Sequence, residues 1–409
     1  MFSAVLTVML TAASCLTASD PSHPKKPVAS ELPVPRPHPT TEERSCFDDN
    51  CRCFGKTADC SHNYGRLTYV PKLPNNIRIL IFSFNNLTRI QSYTFKEATT
   101  FFSIDLRNNG LEHIHPKAFE TLRKLRILYL DYNHLSYNTL LPAFSARTLR
   151  KLYVRHMNLG PLPNDYFSRQ PMPRLTMVDL SGNRIQHLNF SVFVPLLRLT
   201  EIGVESSRVS STTTDYLPLL TRLNLNSNAL FDLPETCRNG SSLFPKLRGL
   251  TFRQNSLSGF YKDICLLKLV NLDVGENPIS VIETDMFNGN RFPSLRSLSL
   301  ESVASLQTIE KFAFRHPTLL RLSVMYSNIR FSNDPIDPDA FAGAPNLSVL
   351  EVGHNLGSYI SEQKFSRLFG SLASLEELYM GNFGIQSINT DTFSNLTRLT
   401  TLFVSKQTH

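Results

Sequence analysis

The chain has 409 residues, of which 41% are apolar, and a formal net charge of +8. A compact-domain expectation for this length is two or three domains, and the apolar share is ample for a continuous core. The positive excess leaves room for an anionic partner, nucleic acid included, but spread over so long a chain it reads first as a solvated basic surface.

Residues 1–18 open the chain as an apolar run with no charge before Asp20. The run is too short to span a bilayer comfortably and is followed by small residues, so it reads as a secretory signal peptide cut near Ala18. It departs from the usual pattern in lacking Lys or Arg at its start, and an Ala-Ala-Ser-Cys string ends at Cys15. No later segment is long and apolar enough to cross a membrane, which places the chain outside the cell, secreted or as the outer part of a membrane receptor. Residues 19–45 are proline-rich, polar and without apolar periodicity, including Pro33-Val34-Pro35-Arg36-Pro37. That composition suits a disordered or polyproline-like spacer.

A cysteine cluster follows within residues 46–76: Cys46, Cys51, Cys53 and Cys60, then Leu67, Val70, Pro71 and Leu73. Four cysteines so close could ligate zinc. In a secreted chain, with two of them one residue apart, disulfides are the better reading, and three connectivities are open. Discounting Cys15, six cysteines remain, an even number suited to an oxidising compartment. Five Asn-x-Ser/Thr triplets, at Asn86, Asn189, Asn239, Asn346 and Asn395, are candidate glycosylation sites of such a chain.

From residue 77 to 409 one phrase, L-x-x-L-x-L-x-x-N-x-L, recurs about every 24 residues, the signature of a leucine-rich repeat solenoid. About 14 copies begin at Ile77, Phe101, Leu125, Leu149, Leu175, Leu199, Leu220, Leu247, Leu269, Leu295, Leu319, Leu347, Leu375 and Leu399, the last one cut short. The expected fold is α/β: a curved horseshoe with a parallel concave β-sheet, each L-x-L a short strand with apolar side chains inward. Stacking makes this one elongated domain and overrides the compact-domain expectation. Asn85, Asn109, Asn133, Asn183, Asn228, Asn255, Asn277 and Asn355 stand where the chain leaves the strand, suited to bonding buried backbone groups. Met157, Ser207, Val303, Ser327 and Phe383 take that place in other copies, where the ladder is expected to break. Phe95, Phe119, Phe287, Phe314, Phe341 and Phe393 recur on the return side and should stack as an aromatic ladder. The copy from Leu199 is short and those from Leu319 and Leu347 are long; residues 361–372 could form a convex-side helix. Cys237 and Cys265 fall at the eighteenth and nineteenth positions of adjacent copies. Strand spacing of ~4.8 Å brings such positions within disulfide reach, so a bridge is expected.

No metalloprotease, nucleophile-elbow or phosphate-loop motif occurs, and no acid pair stands in a catalytic context, so catalysis, cofactors and resident metals are not expected. Binding is. Positions beside the inward leucines project from the concave face, and in the third to fifth copies they are Tyr129, Asp131, Tyr132, Tyr153, Arg155, His156 and Asp179. Tyr and Arg combine large area with directional hydrogen bonds, as binding hot spots require. Later copies read as blander, with Gly203, Ser206, Gly275, Ser302, Gly353 and Gly381 in comparable places. The histidines His113, His115, His134, His156 and His187 could confer pH sensitivity, although ordinary surface histidines are the expectation.

The four-cysteine cluster ahead of L-x-x-L-x-L-x-x-N-x-L-x-x-L-x-x-x-x-F copies resembles the N-terminal cap of extracellular leucine-rich repeat proteins. That resemblance implies the pairing Cys46–Cys53 and Cys51–Cys60 and a stapled hairpin covering the first copy's apolar end. The mixed copy lengths look most like a Toll-like receptor ectodomain, implying a protein or microbial-type ligand, homo- or heterodimerisation and a role in innate immunity. A secreted matrix or adhesion scaffold is the alternative. The last copy brings no cap cysteines and no polar capping repeat, so an unpaired strand edge and a longer receptor-like chain are expected.

Overall fold

The structure, a computed structural model, describes residues 7–9, 44–46, 49–63, 65–331, 335–355, 360–381 and 393–404. Each described copy contributes a three-residue strand at its L-x-L core, from Ile79–Ile81 through Ile127–Tyr129, Lys151–Tyr153 and Met177–Asp179 to Thr401–Phe403. Every strand pairs in parallel with the next, Tyr129 opposite Tyr153 and Tyr153 opposite Asp179, so one repeat position forms a row across the sheet. The middle residue of each strand points inward: Leu128, Leu152, Val178 and Ile202 are buried, while their neighbours are half-exposed. No copy could bury these leucines alone. Each closes the core of its neighbour, and the result is the leucine-rich repeat solenoid.

The asparagines hold the coils in register. Asn133 donates its Nδ2 to the Leu106 and Leu130 carbonyls at 2.9 and 2.8 Å, and its Oδ1 accepts from the Asn109 and Leu111 amides at 3.0 and 2.9 Å. Strand departure leaves these buried backbone groups without ladder partners, and the carboxamide satisfies donors and acceptors together. The expected breaks at Ser207 and Ser327 do not occur. Ser207 Oγ donates to the Leu180 carbonyl at 3.2 Å and Ser327 Oγ to the Leu300 carbonyl at 3.0 Å, a hydroxyl doing part of the carboxamide's work. Met157 and Val303 are buried and apolar and do interrupt the ladder; Phe383 lies outside the described residues.

On the return side, Phe95 stacks on Phe119 at 5.6 Å, and Phe287, Phe314 and Phe341 follow at 6.2 and 5.4 Å. Phe144, Phe167 and Phe193 extend the stack through three copies in which single-turn 3₁₀ segments replace extended chain. Phe393 meets Phe365 edge-on at 5.4 Å. Phe365 belongs to the helix Glu362–Phe369, N-capped by Ser361, whose hydroxyl accepts from the Lys364 amide. Its Phe365, Leu368 and Phe369 are buried, the 3.6-residue spacing that an amphipathic convex-side helix requires.

The first coil is covered by a hairpin, Arg52–Phe54 with Thr57–Asp59, and Thr57–Asp59 then runs parallel to Ile79–Ile81. Cys46–Cys53 and Cys51–Cys60 staple it, which removes the zinc alternative for these four thiols. Arg44–Ser45 joins the hairpin as a third, antiparallel strand, two residues inside the segment expected to be spacer. Cys237 and Cys265 are bonded, with Cα atoms 5.2 Å apart, across adjacent coils. At the far end Thr7–Met9 runs parallel to Thr401–Phe403, so the edge expected to be unpaired is covered by a strand from the apolar run read as a leader.

Candidate binding site

The concave shelf follows from register alone. Residues one place past the strand centre form the row Asp105, Tyr129, Tyr153, Asp179, Gly203. Tyr129 and Tyr153 therefore stand about one strand spacing, ~4.8 Å, apart, and their rings stack with centroids 4.5 Å apart and planes 14° apart. Two residues further along the chain lies a second row, Arg107, Asp131, Arg155, tied by backbone bonds from Asn108 to Asp131 and from Tyr132 to Arg155. The Arg107 guanidinium lies 5.3 Å from the Tyr129 ring centre and that of Arg155 lies 5.4 Å from Tyr153. Each of the two stacked rings thus has a cation–π contact of its own, from the arginine row that runs alongside.

Both arginines are also pinned by carboxylates. Arg107 forks onto Asp105, Nε to Oδ1 at 2.9 Å and Nη2 to Oδ2 at 2.6 Å. Arg155 Nη2 reaches Asp131 Oδ2 at 3.0 Å, and its Nε lies 3.9 Å from Asp179 Oδ2. These hydrogen bonds raise both guanidinium pKa values, with burial opposing. The Tyr153 phenol is pushed up as well, by burial first and then by Tyr129 and Asp179, and stays protonated at neutral pH. One expectation needs correction here. Asp131 is 0% exposed and lies beneath Arg155, accepting the Arg155 amide at 2.8 Å and its guanidinium together. It supports the shelf and presents nothing to a ligand.

The third row is left-handed. Tyr132 and His156 have φ of 57° and 52°, and their rings stack at 4.6 Å with planes 6° apart. His156 then lies across Gly182, where a Cβ would come 2.2 Å from its Nδ1, so this neighbour must be glycine for the ring to lie flat. Equivalent pairs recur as His62–Phe84 and Tyr326–His354, each at 4.4 Å. All seven residues read from the repeat frame are thus brought together, six at the surface and Asp131 below. That reading missed Arg107 and Asp105, which share the rows but sit in the second copy.

The later copies are less bland than expected. Arg253 reaches Glu276 at 2.8 Å and Glu301 at 3.4 Å, and Ser323 bonds Glu301 at 2.9 Å. This second polar node again consists of paired charges. Gly203, Gly275 and Gly353 leave no gaps: a Cβ there would come 2.8 Å from Asp179 Oδ1, 2.7 Å from the Glu301 carbonyl and 2.8 Å from the Gly381 carbonyl. Of the other histidines, His187 sits between Ser211 and Thr213 on the convex side, and His115 accepts from the Lys117 amide. Among the triplet asparagines, Asn86, Asn239, Asn346 and Asn395 are exposed and Asn189 is half-buried against Asn164; none lies on the shelf. Openings of about 410 Å³ and about 850 Å³ lie away from the shelf, on the flank around Arg123 and Arg147 and beside Cys237–Cys265. No helix among the described residues is long and apolar enough to cross a membrane.

Residues 75–135 match the leucine rich repeat family model, and residues 326–409 match that of the BspA type leucine rich repeat region. Fibromodulin of Mus musculus is 30% identical over 326 residues, 76% of this chain and 81% of that protein. Osteomodulin of Bos taurus is 26% identical over 52% of this chain, and the match spans 50% of its own length. The chain thus spans about half the length of that relative, and 55% of podocan from Mus musculus, to which it is 25% identical over 81% of this chain. A solved TLR13–ssRNA13 complex aligns with a TM-score of 0.47 and 22% identity over 80% of this chain and 43% of that one, too loosely to bear on function.

Proposed function

Because this chain belongs to the leucine-rich repeat family, we propose that it is an extracellular, non-enzymatic protein-recognition module whose partner docks on the shelf around Tyr129 and Tyr153. The carrying observation is the preset stack of Tyr129 on Tyr153, with the Arg107 and Arg155 guanidinium groups each held against one ring. Rings and cations already immobilised lose little side-chain entropy on binding, and large flat aromatics in such a setting act as anchors. Likeness to fibromodulin and osteomodulin, secreted matrix proteins, supports a matrix or adhesion scaffold. Three disulfides suit the same oxidising compartment. In this reading the five triplet asparagines carry glycans that leave the shelf bare.

The test is a paired substitution, Tyr129→Ala with Tyr153→Ala. Arg155→Ala is unsuitable, since it would leave the Asp131 carboxylate buried without its partner, a loss of about 3–5 kcal/mol in stability that would masquerade as lost binding. Wild type and variant are incubated with extracellular matrix extract, cross-linked through lysine and analysed by mass spectrometry. Partners cross-linked at Lys151, which lies beside Tyr153 on the same strand, should vanish with the variant. An unchanged set of partners and cross-links removes the shelf as the site.

A receptor ectodomain of Toll-like kind is the second reading, favoured by uneven coils: 21 residues separate Glu201 from Arg222 and 28 separate Arg321 from Val349. Ligand-driven dimerisation in light scattering would favour it over a scaffold.

A further inference from the structure

Two surfaces of this chain hold cations in opposite electrostatic states. On the concave side Arg107, Arg155, Arg222, Arg253 and Arg321 each hold a carboxylate. On the flank that leads into the strands, the cations of four successive coils hold none among the described residues. Arg126 and Arg150 occupy the same repeat position, linked by the Arg150 amide on the Arg126 carbonyl at 2.8 Å. Arg174 stands two residues before Thr176, whose amide bonds the Arg150 carbonyl at 2.8 Å, and Arg198 repeats that place one coil later, before Thr200. Arg123 and Arg147 line the adjoining opening of about 410 Å³, where Glu120 is the one carboxylate.

These side chains crowd each other. Arg126 Nη1 reaches the Thr148 carbonyl at 3.0 Å, towards Arg150, and its pKa is lowered by burial first and then by Arg150 and Arg174. Folding has placed like charges together without neutralising them, at a spacing per coil near ~4.8 Å. None of the Asn-x-Ser/Thr asparagines stands among these cations: Asn86 precedes the stretch and Asn189 belongs to the convex-side strand His187–Asn189.

We infer that this flank, centred on Arg126, Arg150 and Arg174, is a second binding surface, for a linear sulfated polysaccharide. A row of unpaired guanidinium groups matches regularly spaced sulfates, each able to accept forked hydrogen bonds. Single-stranded nucleic acid would in addition call for aromatic rings interleaved with the cations as stacking platforms. The cluster has none; Phe102, 45% exposed, stands one coil before it. The choice of a sulfated chain rests on the extracellular reading above, in which that polyanion is the one at hand. The flank adjoins the shelf without sharing its residues: Arg126 and Arg150 precede the strands that Tyr129 and Tyr153 close.

The experiment measures binding of the full chain to an immobilised heparin dodecasaccharide in 0.15 M salt. Arg126→Gln, Arg150→Gln and Arg174→Gln together should weaken it about a hundredfold, three cations facing a polyanion, two of them exposed and Arg126 half-buried. Replacing Lys117, Arg184 and Arg208 by Gln, which removes equal charge away from the flank, should leave it within about threefold, since screening at this salt confines the effect to nearby charges. Equal losses in both variants would reduce the finding to net charge and overturn the site. So would absence of wild-type binding, or tighter binding of a single-stranded RNA of equal length. Thermal melts check folding, and Arg123→Gln with Arg147→Gln provides a second variant should the first be unstable. The Tyr129→Ala, Tyr153→Ala protein should keep full heparin affinity, so failure of the shelf and failure of the flank are told apart.

Discussion

Replacing Asn133 by alanine removes one side chain and orphans four backbone groups in the middle of the solenoid. The Leu106 and Leu130 carbonyls lose their donor, and the Asn109 and Leu111 amides lose their acceptor. Asn133 itself is buried, so water does not replace it freely. An unsatisfied buried group costs about 1–3 kcal/mol; the low end, applied to four groups because neighbouring coils can shift, gives about 4 kcal/mol. Serine provides an internal scale. At Ser207 a hydroxyl shares its one proton between the Leu180 and Glu205 carbonyls at 3.2 and 3.0 Å and accepts from the Asn183 amide at 3.4 Å, half of the carboxamide's duties. Asn133→Ser should therefore lose about 2 kcal/mol, and stability should order Asn, Ser, Ala. Urea unfolding followed by circular dichroism supplies the free energies. Amide exchange at Asn109 and Leu111 reports the local opening expected of a stack whose stability is summed coil by coil. An alanine variant within about 1 kcal/mol of wild type, or one equal to the serine variant, would refute the assignment of the ladder as the register-holding device.

Two further outcomes test other parts of the fold. Cys237→Ser with Cys265→Ser opens a loop of sequence separation 28, and chain entropy predicts a loss of about 3.5 kcal/mol in thermal or urea unfolding; a change below about 1 kcal/mol would show that the coils are held there by packing alone. His316 is fully buried, with Nε2 2.8 Å from the Phe292 carbonyl and Nδ1 accepting from the Thr318 amide at 3.2 Å. Burial lowers its pKa below the ordinary 6.5, with the Phe292 bond opposing. Above pH 6.5 folded and unfolded imidazoles are both neutral. As pH falls below it the unfolded chain takes the proton first, so stability is lost down to the folded-state pKa. His316→Gln should lose less stability than wild type between pH 7.5 and 5.5, and an equal loss in the two would remove His316 as a contributor.

Much of the architecture is legible in the residues because its determinants are local and repeated. Leu at alternate places makes a strand with one buried face, and twenty-odd residues per copy return the chain to the same place. Cys237 and Cys265 become neighbours by the same arithmetic. The reading failed where the side chain's task depended on its neighbour in the next coil. Ser207 and Ser327 looked like gaps because a hydroxyl's partners are invisible until the carbonyls of the preceding coil are in place. Asp131 looked like an outward ligand group because the strand pattern shows its side but not the arginine lying over it. Arg155 comes 24 residues later, and only the parallel register sets the two side by side.

Sequence periodicity by itself therefore determined the solenoid, its inward leucines, its asparagine ladder and the face on which Tyr129 and Tyr153 stand. Tertiary structure decided which charges cancel. Arg107 and Arg155 find carboxylates in their own and adjacent rows, while Arg126, Arg150 and Arg174 find mostly one another. Ion pairing falls off within a few ångströms, and those distances are set across coils, between residues that the linear order holds far apart.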